Sequence, residues 1–168
     1  QATLDSHYDP EMVMSILTHA RVIGEMRGDP GLITLVRVSM SRYYIRLQKP
    51  SPAVDWAEMA VEFARKVGYM HMLGIALYCQ AFALWLAGDL VTAEQSLQES
   101  IEVTTKLDAR YDRAYAVLLL AIIQYFHGQP GAPETWRQAM QLILEGDYAC
   151  LIDKTGGFAF QMFTESLS

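Results

Sequence analysis

The sequence predicts an all-α fold in which paired helices stack into a right-handed α-α superhelix. Apolar residues recur at helical spacing over long stretches, proline and glycine fall in the gaps between these stretches, and no clear strand alternation interrupts them. A face of small–large–small residues occurs three times, which indicates a repeat. Its three copies are Ala57, Val61 and Ala64, then Ala93, Leu97 and Ser100, then Ala132, Trp136 and Ala139.

Proline marks the starts of the first three predicted helices. Aspartate and serine accept hydrogen bonds from the free N–H groups of a first helical turn, and proline fits the same turn. Glycine after the last apolar residue favours an end to the first helix near Gly28 and to the third at Gly68, whereas the second is expected to end at Lys49-Pro50. The three starts are Asp9-Pro10, Asp29-Pro30 and Ser51-Pro52.

Four further helices are predicted over about 70–87, 90–107, 111–127 and 133–146. The first of them is apolar enough to suggest a membrane span, but it lacks basic flanks and aromatic residues placed at both ends. We therefore interpret it as a helix packed on two sides inside the stack. Residues 147–168 are less regular, and we expect them to form a capping tail.

The composition is typical of one well-packed domain, with 168 residues of which 52% are hydrophobic and 19% charged. A net charge of −6 and the lack of any lysine or arginine run argue against contact with nucleic acid. Cys79 and Cys150 belong to no CxxC pair, which favours a reducing cytoplasm. The chain starts at Gln1 without a methionine and without a visible signal peptide. We therefore expect residues 1–168 to be a single helical-repeat domain that comes from a longer cytoplasmic protein.

No set of residues indicates catalysis. A Walker A loop, a GxGxxG and a GxSxG are all lacking, and the four histidines show no metal-ligand spacing. Asp153-Lys154-Thr155-Gly156 matches the start of the phosphorylation loop of P-type ATPases, in which the aspartate is a nucleophile. However, Gly157 replaces the threonine expected next, and too few residues follow for that fold. We therefore predict a chain that is not an enzyme and holds neither a cofactor nor a metal ion.

The pair formed by the fourth and fifth predicted helices resembles a tetratricopeptide repeat. Ala81 provides the small residue of the first helix, Gly88-Asp89-Leu90 the turn, and Ala93, Leu97 and Ser100 the face of the second helix. The resemblance covers roughly residues 53–146 and implies a TPR-like solenoid. Leu84 stands where the family has tyrosine, no proline follows the repeat, and the second-helix faces are spaced 36 and 39 residues apart rather than about 34.

Shorter strings are similar to the degenerate repeats of large bacterial regulators. These strings are Glu99-Ser100-Ile101, Leu107-Asp108, Ala114-Tyr115-Ala116 and the stretch Gly146 to Leu151. They resemble LuxR-type and bacterial-transcriptional-activator-domain proteins, which couple a signal-transducing ATPase to DNA binding. The resemblance implies that this chain is a sensor region of such a transcription regulator.

Aromatic residues provide the main candidate site. Tyr78, Phe82 and Trp85 share one helix face, and Tyr115, Leu118, Ile122 and Tyr125 occupy the corresponding face of the sixth helix. The equivalent positions of the second helix, 40 residues earlier in the chain, hold Val38, Arg42 and Ile45. Each set of equivalent positions on successive helices forms one column. These faces form either a concave groove that binds a ligand or the core between repeats. The candidate polar residues are Arg42, Arg46, Arg110 and Arg113.

Two functions remain open at this point. The first is a non-catalytic module that senses a protein, a peptide or a small-molecule effector for a bacterial transcription regulator. The second is a scaffold for self-association, in which the chain forms a homodimer through apolar faces exposed at the end of the solenoid.

Overall fold

The computed structural model describes residues 9–154, with side chains up to Ile152, and this part of the chain is entirely helical and turn. Consecutive helices pack against each other, which is compatible with an α-α superhelix and confirms the predicted all-α fold. The eight described helices are α1 (Pro10–Arg27), α2 (Pro30–Arg46), α3 (Pro50–Val67), α4 (Met70–Ala87), α5 (Leu90–Lys106), α6 (Arg110–Phe126), α7 (Ala132–Gly146) and α8 (Cys150–Lys154).

The helix starts reveal a regular repeat. Helices α2, α4, α6 and α8 begin at residues 30, 70, 110 and 150, and α1, α3 and α5 begin at residues 10, 50 and 90. Each series therefore advances by 40 residues, which is longer than the repeat of about 34 residues in the tetratricopeptide family. Helix α7 begins two residues late in this series, after the turn Gln129-Pro130-Gly131.

Side chains and glycines set the helix ends. Asp29 accepts hydrogen bonds from the backbone N–H groups of Gly31 (2.9 Å) and Leu32 (3.1 Å), and Asp89 accepts one from Thr92 (3.1 Å). Glycine at the end of α4 adopts a φ of 87°, in the left-handed region that costs other residues free energy.

Two predicted boundaries were wrong. Helix α2 ends at Arg46 rather than at residue 49, because Gln48 turns to a φ of 54° and the chain leaves the helix there. Helix α3 begins at Pro50, so Ser51 lies inside its first turn and Lys49 occupies the cap position without a side-chain hydrogen bond.

The repeated small–large–small face is buried in all three copies. It lets the two helices of a pair approach closely: the hydroxyl of Ser100 on α5 donates to the carbonyl of Gly74 on α4 at 2.8 Å. In the first pair the hydroxyl of Ser41 on α2 donates to the carbonyl of Ala53 on α3, also at 2.8 Å. The small residues of the face therefore lie in helix contacts rather than on the surface, and a serine hydroxyl joins the two helices in the α2–α3 and α4–α5 pairs.

Helix α4 lies at the centre of the stack, in contact with α2, α3, α5 and α6. Within residues 9–154 it is the one helix long and apolar enough to cross a membrane. Ten of its residues are buried in the fold, and a core helix passes the same test of length and composition, so this is weak evidence for a membrane span.

Helices α2, α4 and α6 also pack side by side, α2 on α4 and α4 on α6. They form one face of the stack, as expected for the first helices of successive pairs. The side chains that point out from this face build the candidate site.

Candidate functional site

A cavity of about 440 Å³ opens on the face formed by α2, α4 and α6, with α1 as its fourth wall. Arg42 and Arg46 extend from α2, Tyr78 and Phe82 from α4, and Tyr115 from α6. The remaining lining residues are Val13, Leu17, Ser39, Tyr43, Ile45, Cys79 and Leu119.

Arg42 and two tyrosines form a connected group in this cavity. The Nη2 of Arg42 donates to the hydroxyl of Tyr78 at 3.3 Å, and the guanidinium carbon lies 5.8 Å from the centre of the Tyr78 ring. The Tyr78 ring in turn meets Tyr115 edge to face, with ring centres 5.0 Å apart. These contacts orient the guanidinium, and its positive charge lies in the cavity wall.

Arg42 is surrounded by protein atoms and yet remains accessible to solvent. Both conditions hold at once on a concave surface, where neighbours enclose a side chain without covering it. Burial lowers the pKa of Arg42, but its neighbours, led by Cys79 and Tyr78, raise it, and the net direction is upward. The guanidinium therefore stays charged at any physiological pH.

Cys79 and Tyr78 contribute no charge of their own to the cavity wall. Burial raises the pKa of the Cys79 thiol, whose sulfur lies 3.6 Å from the hydroxyl of Ser41 and 3.8 Å from the carbonyl of Val38. Burial also raises the pKa of the Tyr78 hydroxyl far above its ordinary value. A thiol in such surroundings is a weak nucleophile, so the wall favours binding over covalent chemistry.

The charge of the cavity is opposite to that of the chain. Two arginines and no aspartate or glutamate are among its lining residues, whereas the whole chain carries a net charge of −6. No carboxylate in the described part of the chain pairs with Arg42. The described lining of the cavity is therefore positively charged on an acidic protein, and this charge favours an anion over a cation.

Five of the predicted site residues meet in the cavity, namely Arg42, Arg46, Tyr78, Phe82 and Tyr115. Four others lie elsewhere, two aromatic residues and two arginines. Trp85 packs against Phe82 and Phe126, with ring centres 5.4 and 6.0 Å away, and Tyr125 packs against the core of α6 and α7.

Arg113 and Arg110 lie at a separate recess, beside Asp108 and Glu145 near the start of α6. The Nε of Arg113 is buried and finds no acceptor among the described residues. This recess carries both signs of charge, so it lacks the one-sided potential of the cavity at Arg42.

Members of the same predicted column differ in their surroundings, because the position of each helix in the stack decides whether its residue lines the cavity or the core. Arg42 and Phe82 reach the cavity, but Ile122, the next residue of their column, is buried with Leu151 of α8. Val38 and Leu118 are also fully buried, on either side of Tyr78 in their own column. Groove and core are thus both present, and the α6 copy of the face lies in a core cluster shared with α7 and with Leu151 of α8.

Val13 and Leu17 are cavity residues that sequence reasoning missed. Their spacing of four residues places them on one face of α1, but many apolar pairs in this chain share that spacing. Nothing in the sequence indicates that this pair, rather than another, faces Arg42.

Other predicted features stay apart from the cavity. His71 pairs with Asp112 at 3.2 Å and joins the starts of α4 and α6. Within residues 9–154 no group of three or more histidine, cysteine, aspartate or glutamate side chains could hold a metal ion. The string Asp153-Lys154-Thr155-Gly156 runs from the end of α8 out of the described residues.

Comparison with known protein families and with curated proteins gives no match to this chain. The resemblance to tetratricopeptide repeats and to bacterial regulators therefore rests on the sequence strings alone.

Proposed function

We propose that this chain is a non-catalytic binding module that holds an effector molecule or a protein partner in the cavity at Arg42. The observation that supports this proposal is a charged and accessible guanidinium, hydrogen-bonded to Tyr78, in a concave, mostly apolar pocket whose described lining includes no carboxylate. A few convergent polar groups in an apolar pocket are typical of ligand sites.

The position of the cavity suggests how binding could be sensed. Its walls come from α1, α2, α4 and α6, so an occupant touches helices of successive pairs. A ligand that fits one arrangement of these helices better than another shifts the population toward that arrangement. Such a shift would pass along the stack to a neighbouring domain.

The setting we propose is a cytoplasmic bacterial transcription regulator, in which this module controls a signal-transducing ATPase and a DNA-binding domain. This part of the proposal rests on the resemblance of the strings near Ser100, Asp108 and Tyr115. The coding sequence on either side of the segment tests it. A Walker A motif upstream together with a helix-turn-helix would support the regulator, and flanking domains of another class would overturn it.

The binding function is tested by a thermal-shift screen of metabolites and short peptides on three forms of the chain. The wild type is compared with Arg42→Gln and with Arg137→Gln, a matched control because Arg137 is exposed on α7 and pairs only locally with Glu134. We expect hits that stabilise the wild type and Arg137→Gln but not Arg42→Gln. Hits that act equally on all three forms, or a screen without hits, would count against the cavity.

Self-association is the second candidate, and α1 provides its support. Met12, Ile16, Ile23 and Met26 are 52%, 59%, 45% and 83% exposed, and together with His19 they follow a spacing of four and three residues. This spacing suits the packing of another helix, and here we infer a second copy of the chain.

Sedimentation of wild type and Ile16→Glu over a range of concentrations tests the second candidate. A dimer that forms in the wild type and is lost in Ile16→Glu would support it, with Thr18→Glu on the same helix as the control. A monomer at all concentrations would exclude it.

A further inference from the structure

We propose that the cavity at Arg42 takes a small organic carboxylate with an aromatic or branched aliphatic body, held between Arg42 and helix α1. The inference rests on the proposed function of the cavity and specifies the ligand class. Three features support it: the size of the cavity, the positive charge of Arg42 in its wall and the contribution of α1 to its lining.

The size of the cavity matches a small molecule. A volume of about 440 Å³ lies in the range of roughly 300–1,000 Å³ typical of small-ligand pockets. A helical peptide would need an open trough along the stack. Val13 and Leu17 of α1 instead form a wall of this space, so α1 itself occupies part of the face along which a bound helix would lie.

The polar groups fit a carboxylate. Arg42 donates through one Nη to the Tyr78 hydroxyl and retains further N–H groups for an acceptor. The Tyr78 hydroxyl accepts that bond and can itself donate its proton. A carboxylate beside them would accept charge-assisted hydrogen bonds from the guanidinium, which are stronger than those to a neutral group.

The apolar walls fit the rest of such a ligand. Phe82 and Leu119 present apolar surface from α4 and α6, and Val13 and Leu17 present it from α1. An inorganic anion would leave these walls in contact with water. A ring or a branched chain attached to the carboxylate would cover them and gain the free energy of apolar burial.

Helix α1 gives this binding a structural consequence. Its packing partner is mainly α2, and Gly24 is its one buried residue. A ligand in contact with Val13 and Leu17 would add a second attachment for α1, through α4 and α6. Ligand binding should therefore hold α1 against the stack and slow the exchange of its backbone amide hydrogens.

The test titrates phenylacetate, indole-3-acetate and 4-methylpentanoate into the full chain, each paired with its neutral primary amide, and includes inorganic phosphate. Chemical-shift changes measure affinity, and amide hydrogen exchange reports on α1. We expect at least one acid to bind about ten-fold or more tightly than its amide, because a hydrogen bond to a charged group contributes more than one to a neutral group. Amides in the first half of α1 should become protected.

Three variants decide the outcome. Arg42→Gln should weaken the acid about ten-fold or more, Leu17→Ala should weaken it and abolish the protection of α1, and Arg137→Gln should bind as the wild type does. Circular dichroism confirms that each variant is folded.

Equal binding of acids and amides, equal competition by phosphate, or unchanged binding by Arg42→Gln would overturn this inference. Should no acid bind while a peptide binds in a manner that depends on Arg42, the ligand class is wrong and the binding function stands. If neither binds at Arg42, both proposals fail.

Discussion

Helices α1 and α4 are of equal length, 18 residues each, but occupy opposite extremes of the fold. Helix α4 buries ten residues and is surrounded by α2, α3, α5 and α6, whereas α1 buries Gly24 alone and packs mainly against α2. The difference comes from neighbours among the described residues, since four helices surround α4 whereas α1 packs mainly against one.

This contrast relates stability to function. Well-buried helices contribute most of the free energy of folding, and elements with few buried contacts open most easily. Helix α1 combines such loose packing with two side chains in the cavity wall, Val13 and Leu17. In the proposed binding function, the strongly packed helix positions Tyr78 and Phe82, and the weakly packed helix would respond to the occupant of the cavity.

The largest expected effect is the loss of a core side chain from α4. Leu77→Ala removes a side chain that is 1% exposed, and we expect a loss of about 3–4 kcal/mol in the free energy of unfolding. Ile16→Ala in α1, where the side chain is 59% exposed, should change it by less than about 0.5 kcal/mol. Urea unfolding followed by circular dichroism measures both, and similar losses would contradict the contrast.

A smaller effect is expected where α4 meets α5. A Cβ added at Gly74 would lie 2.8 Å from the Cγ2 of Thr104, so Gly74→Ala should cost about 1–3 kcal/mol in the free energy of unfolding. Thr104→Ser removes that methyl group but keeps the hydroxyl that donates to the Ser100 carbonyl. The double variant should therefore recover part of the loss.

Gly24→Ala in α1 is the matched control for Gly74→Ala. The nearest atoms to a Cβ added there are side-chain carbons of Leu32 and Ile33 at 3.3 Å and the backbone nitrogen of Ile33 at 3.4 Å, so the contact is much less severe than the 2.8 Å contact at Gly74. We expect little change, because the higher helix propensity of alanine offsets the tighter contact. A loss as large as that of Gly74→Ala would show that α1 is held as rigidly as α4.

Cap removal should have a still smaller effect. Asp89→Ala removes the acceptor for the Thr92 N–H at the start of α5, and about 1 kcal/mol of unfolding free energy should be lost. Asp9→Ala removes the acceptor for the Glu11 N–H at the start of α1. There we expect faster amide exchange at the start of α1 with little change in global stability, as measured by hydrogen exchange and urea unfolding.

The effect that is smallest at neutral pH appears only at alkaline pH, where it grows as the pH rises. Burial raises the pKa of both Cys79 and Tyr78 in the folded state, so their stabilising contribution is present below their unfolded pKa values and is lost as the pH rises. Stability should therefore fall above about pH 8.5, with a further fall above about pH 10. Tyr78→Phe should remove the second fall, whereas Tyr69→Phe at the exposed start of α4 should retain it. Urea unfolding at several pH values distinguishes the two variants.

Local sequence signals accounted for most of the helix positions. Asp29, Asp89 and Gly88 act through their immediate neighbours, so their effect is readable from the sequence, and the helices that they bound lie where expected. The end of α2 was predicted too late because Gln48 has no strong preference for the conformation that it adopts. A glycine there would have indicated the turn.

The candidate site was only partly predictable, since helical spacing identifies a face but not what covers it. The members Arg42 and Phe82 of one column line the cavity, yet the third member, Ile122, is buried in a cluster that contains Trp136 of α7 and Leu151 of α8. Trp85 and Tyr125 share the predicted faces but pack against other aromatic or core residues. Val13 lines the cavity because α1 runs beside it, and no local sequence signal specifies the position of α1.

The sequence by itself determined the helices, their turns and the small–large–small faces, because caps, propensities and spacing act within a few residues. The tertiary structure alone decided which faces became core and which became cavity. Burial depends on helices 20 to 40 residues away in the chain, and this is why Arg42 faces a cavity next to Tyr78 while Ile122 lies in the core.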